Sequence, residues 1–154
     1  MSIEERLKEL EIVLPEPPKA MANYVPLKRV GNFIYTSGQD CRRDGNLPFE
    51  GKIGKDLTVE KGYQAARETM INCLSLIKSE VADLNNIKQF VKILGFVNST
   101  NEFTQQPTVI NGASDLLMEI FGEKGKHARS AISANSLPFN IPVEIEMIVE
   151  VKDI

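Results

Sequence analysis

Histidine and cysteine are scarce in this chain. Among 154 residues there is one histidine, His127, and two cysteines, Cys41 and Cys73. So few ligands, so widely scattered, argue against a structural zinc site, and no metal is expected. Two thiols could form at most one bridge. The start, Met-Ser-Ile-Glu-Glu-Arg, is acidic and has no apolar signal core, so a targeting peptide is not expected and a reduced, cytoplasmic setting is the simpler reading. Long apolar runs are also missing, which argues against a membrane span. Positive charge is not in excess: the net charge is -3 and the pI near 5.3, which argues against a general binder of nucleic acid or anionic membrane. What is present is 42% hydrophobic and 25% charged residues, the profile of a globular protein, in a length that suits a single domain over residues 1–154.

The elements follow from periodicity and punctuation. Ser2-Ile3-Glu4-Glu5 matches a capping box, and Ile3, Leu7 and Leu10 recur at helical spacing, which predicts a short helix over about residues 2–11. Pro15, Pro17 and Pro18 then hold the chain extended in a lead-in that ends near residue 22. Tyr24–Val30 and Phe33–Gln39 read as strands joined at Gly31-Asn32 by a two-residue hairpin turn. Residues 40–56 are rich in Gly, Asn, Asp and Pro and read as a loop, with room for a short strand near Gly51–Ile53. Thr58 caps a long amphipathic helix whose apolar face carries Val59, Tyr63, Ala66, Met70, Cys73, Leu74 and Ile77. Ile87–Val97 reads as a central strand. A second helix, with Pro107 in its first turn, buries Val109, Ile110, Ala113, Leu116, Leu117, Ile120 and Phe121 and ends at Gly122. Arg129–Ala134 and the alternating Val143–Val151 are the last strands. Hairpin, helix, strand, helix and two strands make an α+β layer with both long helices on one sheet face. The other face would carry Glu144, Glu146, Ile148 and Glu150. A carboxylate row is costly to bury, so that face is expected to be wet or covered by another chain.

Several motifs fail on inspection. Gly122-Glu123-Lys124-Gly125-Lys126 has the wrong glycine spacing for a phosphate loop, and no Ser or Thr follows the lysine. Ser37-Gly38 lacks the second flanking glycine of a nucleophile elbow. His127 sits in a basic turn without an evident partner and reads as a surface residue. Arg42 and Arg43 beside Cys41 could lower a thiol pKa, though a bystander thiol is the simpler reading. Arg129 is different. It heads an apolar strand among small residues, Ala128-Arg129-Ser130-Ala131, and its planar fork of donors matches a carboxylate. If the last two strands pair, Arg129 could instead form a cross-strand ion pair with Glu144, which spacing alone favours.

Ala128-Arg129-Ser130-Ala131, then Leu137-Pro138, then Val143-Glu144-Ile145-Glu146, together with Phe33-Ile34-Tyr35-Thr36-Ser37-Gly38-Gln39, resemble motifs of the RidA/YjgF reactive-intermediate deaminase family, also called the endoribonuclease L-PSP family. The similarity covers roughly residues 23–154, with the N-terminal helix as an extension. The resemblance implies a chorismate-mutase-like fold with one mixed sheet, and a homotrimer with ligand clefts between subunits. It implies hydrolysis of 2-enamine and 2-imine acids, such as 2-aminoacrylate, to 2-keto acids and ammonia, with no cofactor or metal. Carried over by motif, Arg129 would bind the substrate carboxylate and Glu144 would orient or activate the water. Tyr24, Gly38, Asn111 and Ala131 would line the cleft. Ala22-Asn23-Tyr24-Val25 stands where the family usually has Gly-Pro-Tyr-Ser, and Ala131 where it often has cysteine. Those changes cluster on the expected cleft wall. They motivate a second reading, a non-catalytic trimeric binder of 2-keto acids. A third, an endoribonuclease, would use the basic cluster Lys124, Lys126, His127 and Arg129.

Overall fold

The computed structural model describes residues 1–19 and 22–154. The end of the proline-rich lead-in, residues 20 and 21, lies outside the described residues. In chain order the elements are α1 (Ile3–Glu9), β1 (Leu27–Val30), β2 (Phe33–Thr36), α2 (Val59–Val81), β3 (Ile87–Asn98), α3 (Gln106–Phe121), β4 (Ala128–Ala134) and β5 (Val143–Val151). The strands form one five-stranded sheet in the order β1-β2-β5-β3-β4. Every pairing is antiparallel except β3 with β4, which are parallel and joined through α3. The sheet is therefore mixed, and α2 and α3 pack together over one of its faces.

The local signals behave as physical chemistry requires. The Ser2 hydroxyl accepts from the Glu5 amide, and the Glu5 carboxylate accepts from the Ser2 amide, closing the capping box of α1. Thr58 caps α2 by accepting from the Lys61 amide. Gly31 takes a φ of +60° in the hairpin turn, whereas Asn32 is not among the positive-φ residues, so one turn position needs glycine. Tyr24 falls outside the strand expected for it and lies in a bend before Pro26. After Thr36 the chain leaves β2 and returns to the sheet at Gln39, which bridges Ile145. The short strand expected near Gly51–Ile53 reduces to single bridges of Ile53 with Leu57 and Ser99.

Alternation along β5 sets the two faces. Val143, Ile145, Met147, Val149 and Val151 are buried under the helices, and Glu144, Glu146, Ile148 and Glu150 are partly exposed on the other side. Leu74, Ile77, Ile93, Ile110 and Leu116 are fully buried between sheet and helices, each worth about 1.5–3 kcal/mol of burial. Cys41 and Cys73 belong to this core as free thiols. Burial pushes Cys41 up to about 11 despite its arginine neighbours, and Cys73 up to about 12, so neither is an activated thiol. Helix α1 closes one end: Leu7 is buried, and Arg6 donates to the Glu119 carbonyl of α3. Among the described residues no helix is long and apolar enough to cross a membrane.

The contact between α2 and α3 depends on Gly112. A Cβ placed there would lie 2.0 Å from the Tyr63 carbonyl oxygen, which is backbone and cannot rotate away. Gly112→Ala would recover about 1 kcal/mol of helix propensity. Forcing the helices apart costs more, and a net loss of about 2 kcal/mol is expected, read as a lower urea midpoint.

The largest departure from expectation concerns the last two strands. β4 and β5 do not pair, because β3 lies between them. Arg129 is level with Ile93 on β3, and Glu144 is level with Phe96. Ile93 and Phe96 are three apart in one strand, so they point to opposite faces. Arg129 therefore faces the helix side and Glu144 the open side. The cross-strand ion pair is excluded by topology.

Candidate functional site

The residues singled out from sequence fall into two groups. The first lies where the free edge of the sheet meets α3. Arg129 is partly buried at the start of β4, and its Nη1 donates to Asn111 Oδ1 at 2.8 Å and to Ser114 Oγ at 3.1 Å. Asn111 and Ser114 are one helical turn apart on α3, so they present side chains to the same neighbour. Ala131 follows Arg129 by two residues, faces the same side of β4 and packs partly against the core beside Gly95. Among the described residues the Arg129 Nε and Nη2 groups donate to nothing. Three of the five guanidinium protons thus remain unspent, on the edge of the fork that can grip a carboxylate bidentately.

The second group lies on the open face, at the end where β5 begins. A Cβ on Gly38 would lie 2.7 Å from Cδ of Glu144 and 2.9 Å from its Oε1, so any larger residue would push the carboxylate out of this position. Glu144 has no ion-pair or hydrogen-bond partner among the described residues. Burial raises its pKa above the ordinary carboxylate range, and the nearby carboxylates of Glu146 and Asp40 raise it further. Glu150, on the same face, is relieved by Gln89 at 2.6 Å and Lys88 at 3.1 Å, which hold its pKa low. Tyr24 is exposed near this end: the adjacent Val25 carbonyl accepts from the Ser37 hydroxyl at 2.8 Å, next to Gly38.

The fold thus unites Arg129, Asn111 and Ala131, and separately Gly38 and Glu144 with Tyr24 nearby. It does not bring the two groups together within one chain. Two residues of the first group were missed. His127 was expected at the surface without a partner; it is partly buried, with Nε2 2.9 Å from Ser114 Oγ and Nδ1 2.6 Å from the Gly125 carbonyl. Ser114 was not singled out at all. Its one signal was its place three residues after Asn111, on the polar margin of an otherwise apolar helix face. The basic cluster is looser than its sequence suggests: Lys126 pairs with Glu123 at 2.9 Å in an exposed bridge, while Arg129 turns toward α3. Among the described residues no group of three or more His, Cys, Asp and Glu is placed to hold a metal ion.

A family model described as "YjgF/chorismate_mutase-like, putative endoribonuclease" matches residues 4–151. The chain belongs to the YjgF family. The match begins inside α1, so the N-terminal helix falls within the matched region and is not an appendage outside it. Protein TCP17 of Trypanosoma cruzi is 38% identical over 148 residues, covering 96% of this chain and 92% of its own. Among solved structures, Agrobacterium tumefaciens Atu1372 superposes with a TM-score of 0.91 at 44% identity, over 97% of this chain and 92% of that one. The structure of a "putative endoribonuclease" from Shewanella oneidensis MR-1 superposes with a TM-score of 0.95 at 35% identity, over 98% of this chain and 100% of that one. The YjgF fold, with its mixed five-stranded sheet and helices on one face, is the chorismate-mutase-like architecture expected from the motifs.

Proposed function

We propose that this YjgF protein hydrolyses 2-imine and 2-enamine acids such as 2-aminoacrylate to 2-keto acids and ammonia. The observation that carries the reading is the state of Arg129. One nitrogen is held by α3, and the remaining donors form a partly buried fork with no partner among the described residues. Such a group suits a small carboxylate. Glu144 supplies a second element, a half-buried carboxylate whose raised pKa suits a base that takes a proton from water. In the proposed reaction the enamine first gains a proton at its terminal carbon and loses one from nitrogen, through water, to become the imine. Water oxygen then adds to the imine carbon, one water proton passing to Glu144 and a proton reaching the nitrogen. The carbinolamine collapses as its C–N bond breaks: the hydroxyl proton passes to the departing nitrogen, ammonia leaves, and the hydroxyl oxygen becomes the keto oxygen. An imine is already electrophilic, so holding and orienting it carry most of the task, and no cofactor enters the scheme.

Because Arg129 and Glu144 face opposite sides of one sheet, the proposed site takes Arg129, Asn111 and Ala131 from one copy. Glu144, Gly38 and Tyr24 come from another. The open face supports that assembly: Val30, Phe33, Tyr35 and Ile132 are all exposed beside the carboxylates. A homotrimer is the assembly proposed, in a reducing, cytoplasmic compartment that suits two buried free thiols.

With 2-aminoacrylate generated in situ, wild type is expected to release ammonia faster than buffer, and light scattering is expected to give three times the chain mass. Ammonia release equal to buffer would remove the deaminase reading. Saturable 2-ketobutyrate binding by calorimetry would then leave a non-catalytic binder. RNA cleavage that survives repurification and is lost in Arg129→Ala would favour the endoribonuclease named in the family description.

A further inference from the structure

The histidine and serine behind Arg129 form a directional chain, and its polarity can be read from donors and acceptors. The Gly125 carbonyl can only accept, and it lies 2.6 Å from His127 Nδ1, so Nδ1 carries the proton. In the neutral ring Nε2 is then an acceptor, and the Ser114 hydroxyl, 2.9 Å away, donates to it. With its proton so committed, Ser114 Oγ turns its lone pairs toward Arg129 Nη1 at 3.1 Å. The second proton of Nη1 goes to Asn111 Oδ1 at 2.8 Å. Both Nη1 protons are thereby fixed, and the guanidinium plane with them.

The fold holds the far end of this chain in place. Gly125 ends a short 3-10 turn, Gly122–Gly125, that follows α3. A Cβ on Gly125 would lie 2.3 Å from the Leu117 carbonyl, so this turn is pressed directly onto the α3 backbone. That contact aims the Gly125 carbonyl at His127. The relay therefore starts in the turn packed against α3 and ends on α3 itself, with the β4 arginine held between Ser114 and Asn111.

We propose that Ser114 and His127 are positioning residues for Arg129. His127 fixes the direction of the Ser114 hydroxyl, and the Ser114 oxygen anchors Nη1 so that the Nε and Nη2 edge is presented to the ligand carboxylate. An arginine has many rotamers, and a fork held before the ligand arrives loses less freedom on binding. The inference rests on the carboxylate-clamp reading of Arg129, and its tests are chosen so that the two can fail separately.

His127 is the one histidine in the chain, so its ring nitrogens are assigned without ambiguity in a nitrogen–proton correlation spectrum of the ligand-free protein. At mildly alkaline pH the expected pattern is a protonated Nδ1 and a bare Nε2. A ring protonated at Nε2 overturns the relay, whatever the ligand. The second measurement is 2-ketobutyrate binding by calorimetry, with KM and kcat for ammonia release. His127→Phe keeps the ring volume without an acceptor, and His127→Gln keeps an acceptor within reach of Ser114 without the ring. Ser114→Ala and His127→Phe are expected to weaken binding about five- to tenfold, less than the loss of a direct hydrogen bond to a charged group, because the ligand's own contacts with Arg129 remain. KM should rise by the same factor with kcat within about twofold of wild type, since the lost interaction acts on binding. His127→Gln should recover most of the affinity. A role in packing alone predicts the reverse order, with Phe tolerated and Gln impaired. Wild-type affinity in folded His127→Phe, or equal weakness in the Phe and Gln variants, would overturn the proposal. Failure of wild type to bind 2-ketobutyrate would overturn the clamp and leave the tautomer result to decide the relay.

Discussion

Arg129→Ala is expected to lower kcat/KM for 2-aminoacrylate by at least about a hundredfold, because two charge-assisted hydrogen bonds to one carboxylate are lost together. The magnitude separates this role from a structural one. Among the described residues Arg129 spends one nitrogen, on Asn111 and Ser114. Both partners are only partly buried, so water can replace the lost donor, and the expected cost to stability is about 1 kcal/mol. A variant that remains folded with an unchanged oligomer mass but binds no 2-ketobutyrate would fit the clamp. Arg129→Lys sharpens the test. Lysine keeps the charge and loses the planar fork, so it should recover a minor part of the affinity at best. Full recovery would mean that Arg129 acts as a point charge. Wild-type turnover in Arg129→Ala would remove it from the site altogether.

The parts of this protein that were legible in its sequence are those set by short-range rules. The capping box at Ser2 and Glu5, the Thr58 cap, the Gly31 turn and the alternation of Val143–Val151 each follow from groups within a few residues of one another. The faces of α2 and α3 followed from periodicity for the same reason. Strand order is a different matter. Nothing near Arg129 or Glu144 says that β3 enters between β4 and β5. That placement follows from the crossover through α3, which sets β4 parallel on one side of β3, and from β5 returning antiparallel on the other. Two residues fifteen apart, on consecutive strands, would be neighbours if those strands paired, and they are instead on opposite faces. His127 was misread because its partners, Ser114 and the Gly125 carbonyl, depend on how the turn after α3 packs. The motif resemblance put Asn111 at the cleft, and in the fold its Oδ1 accepts from Arg129 Nη1 at 2.8 Å. Periodicity could not have done so, because Asn111 lies eighteen residues away on a helix.

Glu144→Gln is the variant expected to separate chemistry from binding. Glutamine keeps the shape that Gly38 accommodates but cannot take a proton from water. The expected loss is in kcat, by about 10²–10⁴-fold, the usual contribution of a general base. The affinity for 2-ketobutyrate should change little, the opposite of the pattern for Arg129→Ala. The pH profile adds an independent check. Burial is the main cause that raises the Glu144 pKa, with Glu146 and Asp40 adding to it. A base must be ionised to act, so activity should fall as pH falls through this raised pKa. The acid limb should therefore sit at higher pH than an ordinary glutamate would place it. Glu146→Gln removes the second cause and leaves the first. Its acid limb should move to lower pH, toward the ordinary carboxylate range, while Glu144 remains present to act. If the limb stays where it is in Glu146→Gln and persists in the residual activity of Glu144→Gln, the proton acceptor is another group. The open sheet face would then serve assembly alone.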